Sequence, residues 1–410
     1  MNLFIPDNVS SLVTAVVVAL ALTWLGCQVA IPIARRLNCF DRPDGKRKLH
    51  TAPVPLLGGL AILVGLSLTL LLTCWWSQSA LGLTPACWCG ISLTSLMLCG
   101  LGLYDDLYHV RPKIKLIWQA FALAPYLLCC PVIDSIQILG FNVPLGSLGW
   151  IFTGVFLIAA INALNLIDGV DGLAGSVSLI VFIAAAIHAS LIGAYEISFL
   201  LLIASGSLSG FLLHNWAPAR IYLGDSGSHL LGFWVGAFSL ISSTKTVTGL
   251  TLVVPVVLLS LPAFDTALAI LRRFLISRSI AEPDRLHIHH RLLTRGFSPA
   301  RVTLIISGLS LLMAGCALTG AYLQQEWLSW GGCGVVLCTT LALKLCGEEE
   351  LRLLQLWWNG TLEPVVTEEE RLLPSFTLPE TATATQETAS LKTRPASMPA
   401  EFSPSLTRSP

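Results

Sequence analysis

Charge is what this sequence has least of. Only 12% of its 410 residues are Asp, Glu, Lys or Arg, against about 25% in a soluble domain. With 54% hydrophobic residues and a mean hydropathy of +0.75, that scarcity excludes a soluble globular fold and leaves an all-α polytopic membrane protein. The formal net charge is zero, so the sum says nothing about nucleic acid and the distribution is what informs; no nucleic-acid partner is expected. No Lys or Arg precedes Arg35 and the first apolar run is long, so no cleaved signal peptide is expected. A Gly-x-x-x-x-Gly-Lys-[Ser/Thr] loop is missing, which removes P-loop ATP hydrolysis. No Gly-x-Ser-x-Gly elbow supports serine-hydrolase chemistry, and no internal repeat supports an inverted-repeat transporter. The twelve cysteines lie within or beside apolar runs. Cys87-Trp-Cys89 and Cys129-Cys130 lack partnering pairs at zinc spacing, so neither a zinc site nor a disulfide framework is expected; they read as small apolar helix residues.

What is present is a series of apolar runs of spanning length. They fall at about 10–33, 56–76, 87–103, 116–133, 149–162, 177–193, 198–213, 227–243, 249–271, 303–323 and 330–346, which predicts about eleven transmembrane helices. Pro255 and Pro262 are expected to kink or break the ninth. The loops 34–55, 104–115, 163–176, 214–226 and 272–302 hold 6, 3, 0, 1 and 7 Lys/Arg, whereas the alternate connections hold only Lys245. Positive charge stays in the cytoplasm, so the N-terminus is expected outside, the C-terminus inside, and every long polar loop on the cytoplasmic face. Residues 1–346 read as the membrane domain. Residues 347–374 carry Leu351, Leu354, Trp357 and Trp358 among acids, an interfacial segment. Residues 375–410 have the Thr/Ser/Pro/Glu composition of a disordered tail.

The polar residues gather in five constellations, all on the face with the positive loops. The first runs from Asp41 to Gly59 and holds Lys46, Arg47, Lys48 and His50, then Pro53, Pro55 and Gly58-Gly59. Positive-inside anchoring explains the cations alone; the prolines and glycines add a shaped loop able to contact phosphate. The second pairs Asp105 with Asp106 ahead of Arg111, Lys113 and Lys115. Adjacent residues on a helix point about 100° apart, which suits one carboxylate to metal and the other to a proton, or else to a solvated cap. The third is Asn162-Ala-Leu-Asn-Leu-Ile-Asp-Gly-Val-Asp-Gly, where Asn165, Asp168 and Asp171 recur every three residues, too widely for an EF-hand. The fourth is His214-Asn-Trp to Tyr222-Leu-Gly-Asp225-Ser-Gly-Ser228, where Asp225 is a metal-ligand candidate or a helix cap and Tyr222 offers a flat face for a base. The fifth joins Asp265, Arg272-Arg273 and Asp284-Arg-Leu-His287-Ile-His289-His290-Arg291. Its arginine-rich surroundings favour phosphate over a soft metal. Six acids with cations and histidines on one membrane face suit an anionic, magnesium-dependent substrate and phosphoryl transfer. An ion-coupled transporter is the competing class, but it predicts acids at mid-span rather than at the inner ends.

Taken together, these motifs resemble the polyprenyl-phosphate N-acetylhexosamine-1-phosphate transferases, the MraY/WecA superfamily, over roughly residues 30–300. The loop Pro53-Val-Pro55-Leu-Leu-Gly-Gly and the run His287-Ile-His289-His290 place it nearer the WecA/TagO branch than the sister branch acting on UDP-MurNAc-pentapeptide. The resemblance implies transfer of a sugar 1-phosphate, GlcNAc by preference, from a UDP-sugar to undecaprenyl phosphate, releasing UMP, with Mg²⁺ and Mn²⁺ as its substitute. It places the enzyme in the bacterial plasma membrane with a cytoplasmic site, and allows a homodimer. By motif position it assigns Asp225 to the metal, with Asp105 also placed there or acting on the lipid phosphate. Asp106 and Lys115 are implied beside that phosphate. Asn165, Asp168 and Asp171 are implied on the nucleotide side, Asn215 and Tyr222 at the uracil, and Lys48, His50, His287, His289 and His290 around the diphosphate and sugar.

Overall fold

The computed structural model describes residues 9–41, 53–77, 82–138, 141–243, 253–276 and 286–359. Lys48, His50, Asp284 and the tail 375–410 fall outside these residues. Fourteen helices and two short hairpins are present among the described residues. Eight helices are long and apolar enough to cross a membrane: α1 (Val9–Leu37), α2 (Gly58–Ser77), α3 (Pro85–Tyr108), α6 (Leu148–Ile167), α7 (Leu173–Leu191), α8 (Tyr195–Asn215), α10 (Val253–Leu275) and α12 (Pro299–Tyr322). Three further apolar runs also fold as helices. One is α9 (Gly224–Ser243) and another is α13 (Glu326–Ala342). The run predicted at 116–133 is instead two helices, α4 (Pro112–Ala122) and α5 (Ala124–Cys129). The break falls at Leu123 because Pro125 has no N–H to return to the preceding turn.

The bundle is built around α9. Every residue from Ser226 to Ser242 is buried, and α9 packs against α3, α6, α7 and α2. That is why this helix can end on the polar sequence Gly224-Asp-Ser-Gly-Ser228, since protein rather than lipid surrounds it. On the flank, α1 lies along α8. A methyl group at Gly206 or Gly210 would fall 2.5 Å from the Val16 carbonyl or onto the Leu20 carbonyl, the small-residue contact by which membrane helices approach closely. The expected break in the ninth run does not occur. Helix α10 continues through Pro262, and Thr266 Oγ1 donates to the Pro262 carbonyl at 2.9 Å.

Two short antiparallel pairs complete the fold. β1 (Phe40–Asp41) pairs with β2 (Val54–Pro55), with Phe40 opposite Pro55. After α5, β3 (Ser135–Ile138) pairs antiparallel with β4 (Phe141–Pro144).

The cysteine expectation needs correction. Cys87, in the first turn of α3, is bonded to Cys130, just past α5. Neither residue has a spacing signature, because the bond joins two helix ends that meet only once the bundle forms. Disulfides are rare in reducing compartments; this one lies at the end of α3 opposite to Asp105. In a thiol-labelling experiment without reductant, exposed Cys89 and Cys129 should react while Cys87 and Cys130 stay unmodified. Cys87→Ser should release Cys130 to the reagent and cost about 2–4 kcal/mol of stability. Labelling of Cys130 in the unreduced wild type would contradict the bond.

Candidate active site

One end each of α3, α6 and α9 borders a cleft of about 1440 Å³, lined by Asp105, Asp106, Asn165, Asp168, Asp171, Asn215, Tyr222, Asp225 and His290 among others. Two of its acids share a lysine from α4. Lys115 Nζ lies 2.8 Å from Asp105 Oδ2 and 2.9 Å from Asp225 Oδ2. Asn165 Nδ2 donates to Asp225 Oδ1 at 2.6 Å and to Ser228 Oγ at 2.9 Å. Asp105, only 6% exposed, also accepts the Val110 N–H at 2.6 Å. Lys113 does not share these contacts; Lys115 is the lysine at the centre.

Asp106 does something different from its neighbour. Its two oxygens accept the backbone N–H groups of Asp225 at 2.9 Å and Ser226 at 3.3 Å. It therefore caps the N-terminus of α9 from another helix, where orphan donors and the helix dipole favour a carboxylate. Gly224 is required at this junction. Its φ of +71° is one that side chains rarely adopt, and a Cβ there would sit 2.7 Å from Asp106 Oδ2. The hundred-degree offset between adjacent helical residues is thus resolved as one acid toward the cleft and one toward α9.

The first loop is docked onto the same junction by backbone pairing. Tyr222 N–H donates to the Pro55 carbonyl at 2.8 Å, and Gly58 and Gly59 N–H donate to the Tyr222 and Leu223 carbonyls at 3.0 Å. Gly59 has no room for a side chain, because a Cβ would fall on the Gly227 backbone. The glycine pair is the contact surface that registers the first motif against the fourth.

The stretch from Asp168 to Gly172 forms one wall. Asp171 Oδ2 accepts the Ala219 N–H at 2.9 Å and the Tyr222 hydroxyl bonds the same carboxylate. Asn215 ties the wall to the next loop: its Oδ1 accepts the Gly172 N–H at 3.0 Å and its Nδ2 donates to the Ile221 carbonyl at 2.9 Å. Asn215 is 4% exposed, so it holds two loops together rather than reaching freely into the cleft. Enclosure pushes the Tyr222 hydroxyl up, with Asp171 and Asp41 adding to it. Asp168 is the contrasting acid, with no hydrogen-bond partner among the described residues. Burial pushes its carboxyl well above the usual carboxylate range, and Asp225, Asp106 and Asp171 reinforce the shift. A carboxylate so placed is relieved by a cation or a proton.

The histidines close the far side on α11 (Ile288–Thr294). His287 Nδ1 lies 2.9 Å from Asp265 Oδ2, and the Ile288 N–H donates to Asp265 Oδ1 at 3.1 Å. His289 stacks on His287 with ring centroids 5.7 Å apart, and its Nε2 is where a Cβ on Gly169 would fall, at 2.5 Å. Burial, then the neighbouring rings of His290 and His287, holds His289 well below the usual imidazole range, so it stays neutral. His290 is the one that lines the cleft.

A second polar layer lies one helical turn deeper, and reading single motifs does not reveal it. Lys115 is followed by Gln119 on α4, Asp225 by His229 on α9, and Asn165 is preceded by Asn162 on α6. Asn162 Nδ2 donates to Gln119 Oε1 at 2.8 Å, and Gln119 Nε2 meets His229 Nε2 at 3.3 Å. His229 is fully buried in a run that looks apolar; only its spacing of four from Asp225 hints at a shared face.

A bundle of apolar, membrane-spanning helices whose ends converge on an acid-lined cleft frames a membrane-embedded site, and the chain's relatives make it that of a transferase. Residues 88–243 match the glycosyl transferase family 4, and the chain belongs to that family, among the polyprenyl-phosphate N-acetylglucosaminyl 1-phosphate transferases. It is 32% identical over 297 residues to a Bacillus subtilis (strain 168) protein named "Probable undecaprenyl-phosphate N-acetylglucosaminyl 1-phosphate transferase", covering 71% of this chain and 81% of that one. It is 30% identical to the decaprenyl-phosphate N-acetylglucosaminephosphotransferase of Mycobacterium leprae (strain TN), over 70% of this chain and 78% of the relative. The undecaprenyl-phosphate alpha-N-acetylglucosaminyl 1-phosphate transferase of Pasteurella multocida (strain Pm70) is also 30% identical, over 77% and 89%.

Proposed function

We propose that this chain transfers GlcNAc-1-phosphate from UDP-GlcNAc to undecaprenyl phosphate, giving undecaprenyl-diphospho-GlcNAc and UMP, at the cytoplasmic face of a bacterial plasma membrane. The observation that carries this reading is Lys115 held between Asp105 and Asp225, two acids that line the cleft. Two phosphate-bearing substrates need a cation among acids at the point where they meet, and the relatives' names supply the sugar and the lipid class. In this reading the eight long helices, α9, α13 and the α4–α5 pair make eleven spans, with the N-terminus outside. The Cys87–Cys130 bond supports that direction, since it then falls on the outer side.

The donor set fits Mg²⁺. It is all hard oxygen, and Mg²⁺ binds through one or two carboxylates while substrate phosphates and waters complete its shell. Asp225 would hold the ion, with Asp168, unpartnered among the described residues, as the neighbouring acid and Asp105 as the other adjacent carboxylate. When bound, the ion supplies charge neutralisation on the diphosphate.

The residues of the chain do the positioning. The lipid phosphate oxygen attacks the β-phosphorus in line; the new P–O bond forms as the bond to UMP breaks. Asp105 orients or deprotonates the lipid phosphate, and Lys115 carries its positive charge from the acids to the incoming anion. Asp106 fixes the position of Asp225 through the α9 N-terminus. Tyr222 and the 168–172 wall enclose the nucleotide, with Asn215 bracing that wall. Neutral His289 packs the histidine helix on Gly169 and leaves His290 toward the diphosphate. Holding two anions in line supplies much of the acceleration.

Membranes containing the protein, supplied with labelled UDP-GlcNAc, undecaprenyl phosphate and Mg²⁺, should form a butanol-extractable labelled lipid and release UMP in equal amount. Product from UDP-MurNAc-pentapeptide and none from UDP-GlcNAc would move the chain to the sister branch.

A further inference from the structure

The last described helix, α14 (Glu348–Trp358), follows the final apolar run, where composition suggests only an interfacial segment. It opens with three consecutive acids that are treated differently. Glu348 pairs with Lys344 and Glu349 with Arg352, both at the surface. Glu350 turns inward and is 2% exposed. It accepts from Arg272 Nη1 on α10 and, through both oxygens at 3.4 Å, from Arg291 Nη2 on α11. Elsewhere on α14, Leu351, Trp357 and Trp358 are exposed.

Arg291 is the informative partner. Its Nε also donates to the Leu286 carbonyl at 2.9 Å, the residue directly before His287. Helix α11 has only seven residues, too few to hold itself by propagation alone. Two clamps fix it. Asp265 grips its start through His287 and the Ile288 N–H, and Arg291, seated on Glu350, grips the chain one turn away. Between these clamps lie His289, against Gly169, and His290, in the cleft.

We propose that α14 is a working part of the transferase, in which Glu350 is a positioning residue that holds the histidine helix against the nucleotide wall through Arg291 and Arg272. Glu350 touches no reacting atom. The carboxylate is needed as a charge, because the buried Arg272 and the partly buried Arg291 guanidinium groups converge on it and a neutral isostere removes the attraction between them and it. Its loss lets α11 shift relative to Gly169, and displacement of a positioning group by about 1 Å costs up to about a hundredfold in rate. The side affected is the sugar-nucleotide side, since Lys115, Asp105 and Asp225 are fixed by α3, α4 and α9, none of which carries Glu350.

The test rests on the transferase reading, and wild-type product formation is its first arm: no lipid product from wild type removes that reading without bearing on the clasp. With wild type active, E350Q should raise KM for UDP-GlcNAc or lower kcat by about ten- to a hundredfold, with KM for undecaprenyl phosphate within about twofold of wild type. E350D should recover part of the loss. The double variant E350Q/R291Q should be no worse than R291Q alone, because both act through one contact. A chain ending at residue 346 should behave like E350Q, and one ending at 359 like wild type. Wild-type kinetics in E350Q, equal shifts in both KM values, or additive losses in the double variant would each overturn the proposal. If E350Q does not accumulate, the double variant and the two truncations carry the same decision.

Discussion

Asp225→Asn should lose turnover by at least about a thousandfold while the protein remains folded in the membrane. The change is isosteric, so packing at the head of α9 is preserved. What changes is charge. In the wild type Oδ1 accepts from Asn165 and Oδ2 from Lys115. An asparagine can keep the first bond, but its NH₂ then faces the Lys115 ammonium, donor against donor. The residue proposed to hold Mg²⁺ also loses its negative charge. A thousandfold loss corresponds to about 4 kcal/mol of transition-state stabilisation, the scale reached when an electrostatic group is removed from an enclosed site. UMP release and labelled-lipid formation measured on detergent-purified protein decide it. Turnover near the wild-type rate in this variant would sink the assignment of Asp225.

Asp106→Ala should cost both stability and at least about a hundredfold in kcat, and the two losses should move together. Removing the carboxylate leaves the Asp225 and Ser226 N–H groups without their acceptor. An orphaned buried donor costs about 1–3 kcal/mol, and the head of α9 is where Asp225 must be held. Asp106→Asn keeps one acceptor oxygen, so it should fall between wild type and alanine in both Tm and kcat. A proton-accepting role makes the opposite forecast, with Asn and Ala equally inactive and Tm unchanged. Graded thermal unfolding alongside initial rates separates the two.

Much of this arrangement is legible in the sequence, for a physical reason. Apolar runs must be helices in a bilayer, since no other element satisfies its own backbone there, and the positive loops assign their ends to one side. Five polar motifs on that side therefore had to meet, and Asp105, Lys115, Asn165 and Asp225 do. What stayed hidden depends on helix rotation and on contacts between distant segments. The division between Asp105 and Asp106 turns on which way α3 is rotated. Cys87 and Cys130 bear no pattern because their pairing is purely tertiary. Pro125 marks a break that hydropathy smooths over. His229 is one polar residue in an apolar run, and Glu350 is one of three adjacent acids, so nothing in the order of letters separates the buried one.

The placement of α3 has a consequence for how the site can move. The helix begins at the Cys87–Cys130 bond and ends at Asp105 and Asp106, a rod of about 36 Å at 1.5 Å per residue. Its first turn is fixed covalently and its last turn is locked onto the head of α9. It acts as an anvil: the acids at its tip keep their place whichever substrate arrives. The histidine helix is held instead by side-chain hydrogen bonds and ion pairs, so of the two walls it is the one that substitutions at Glu350 and Arg291 can displace.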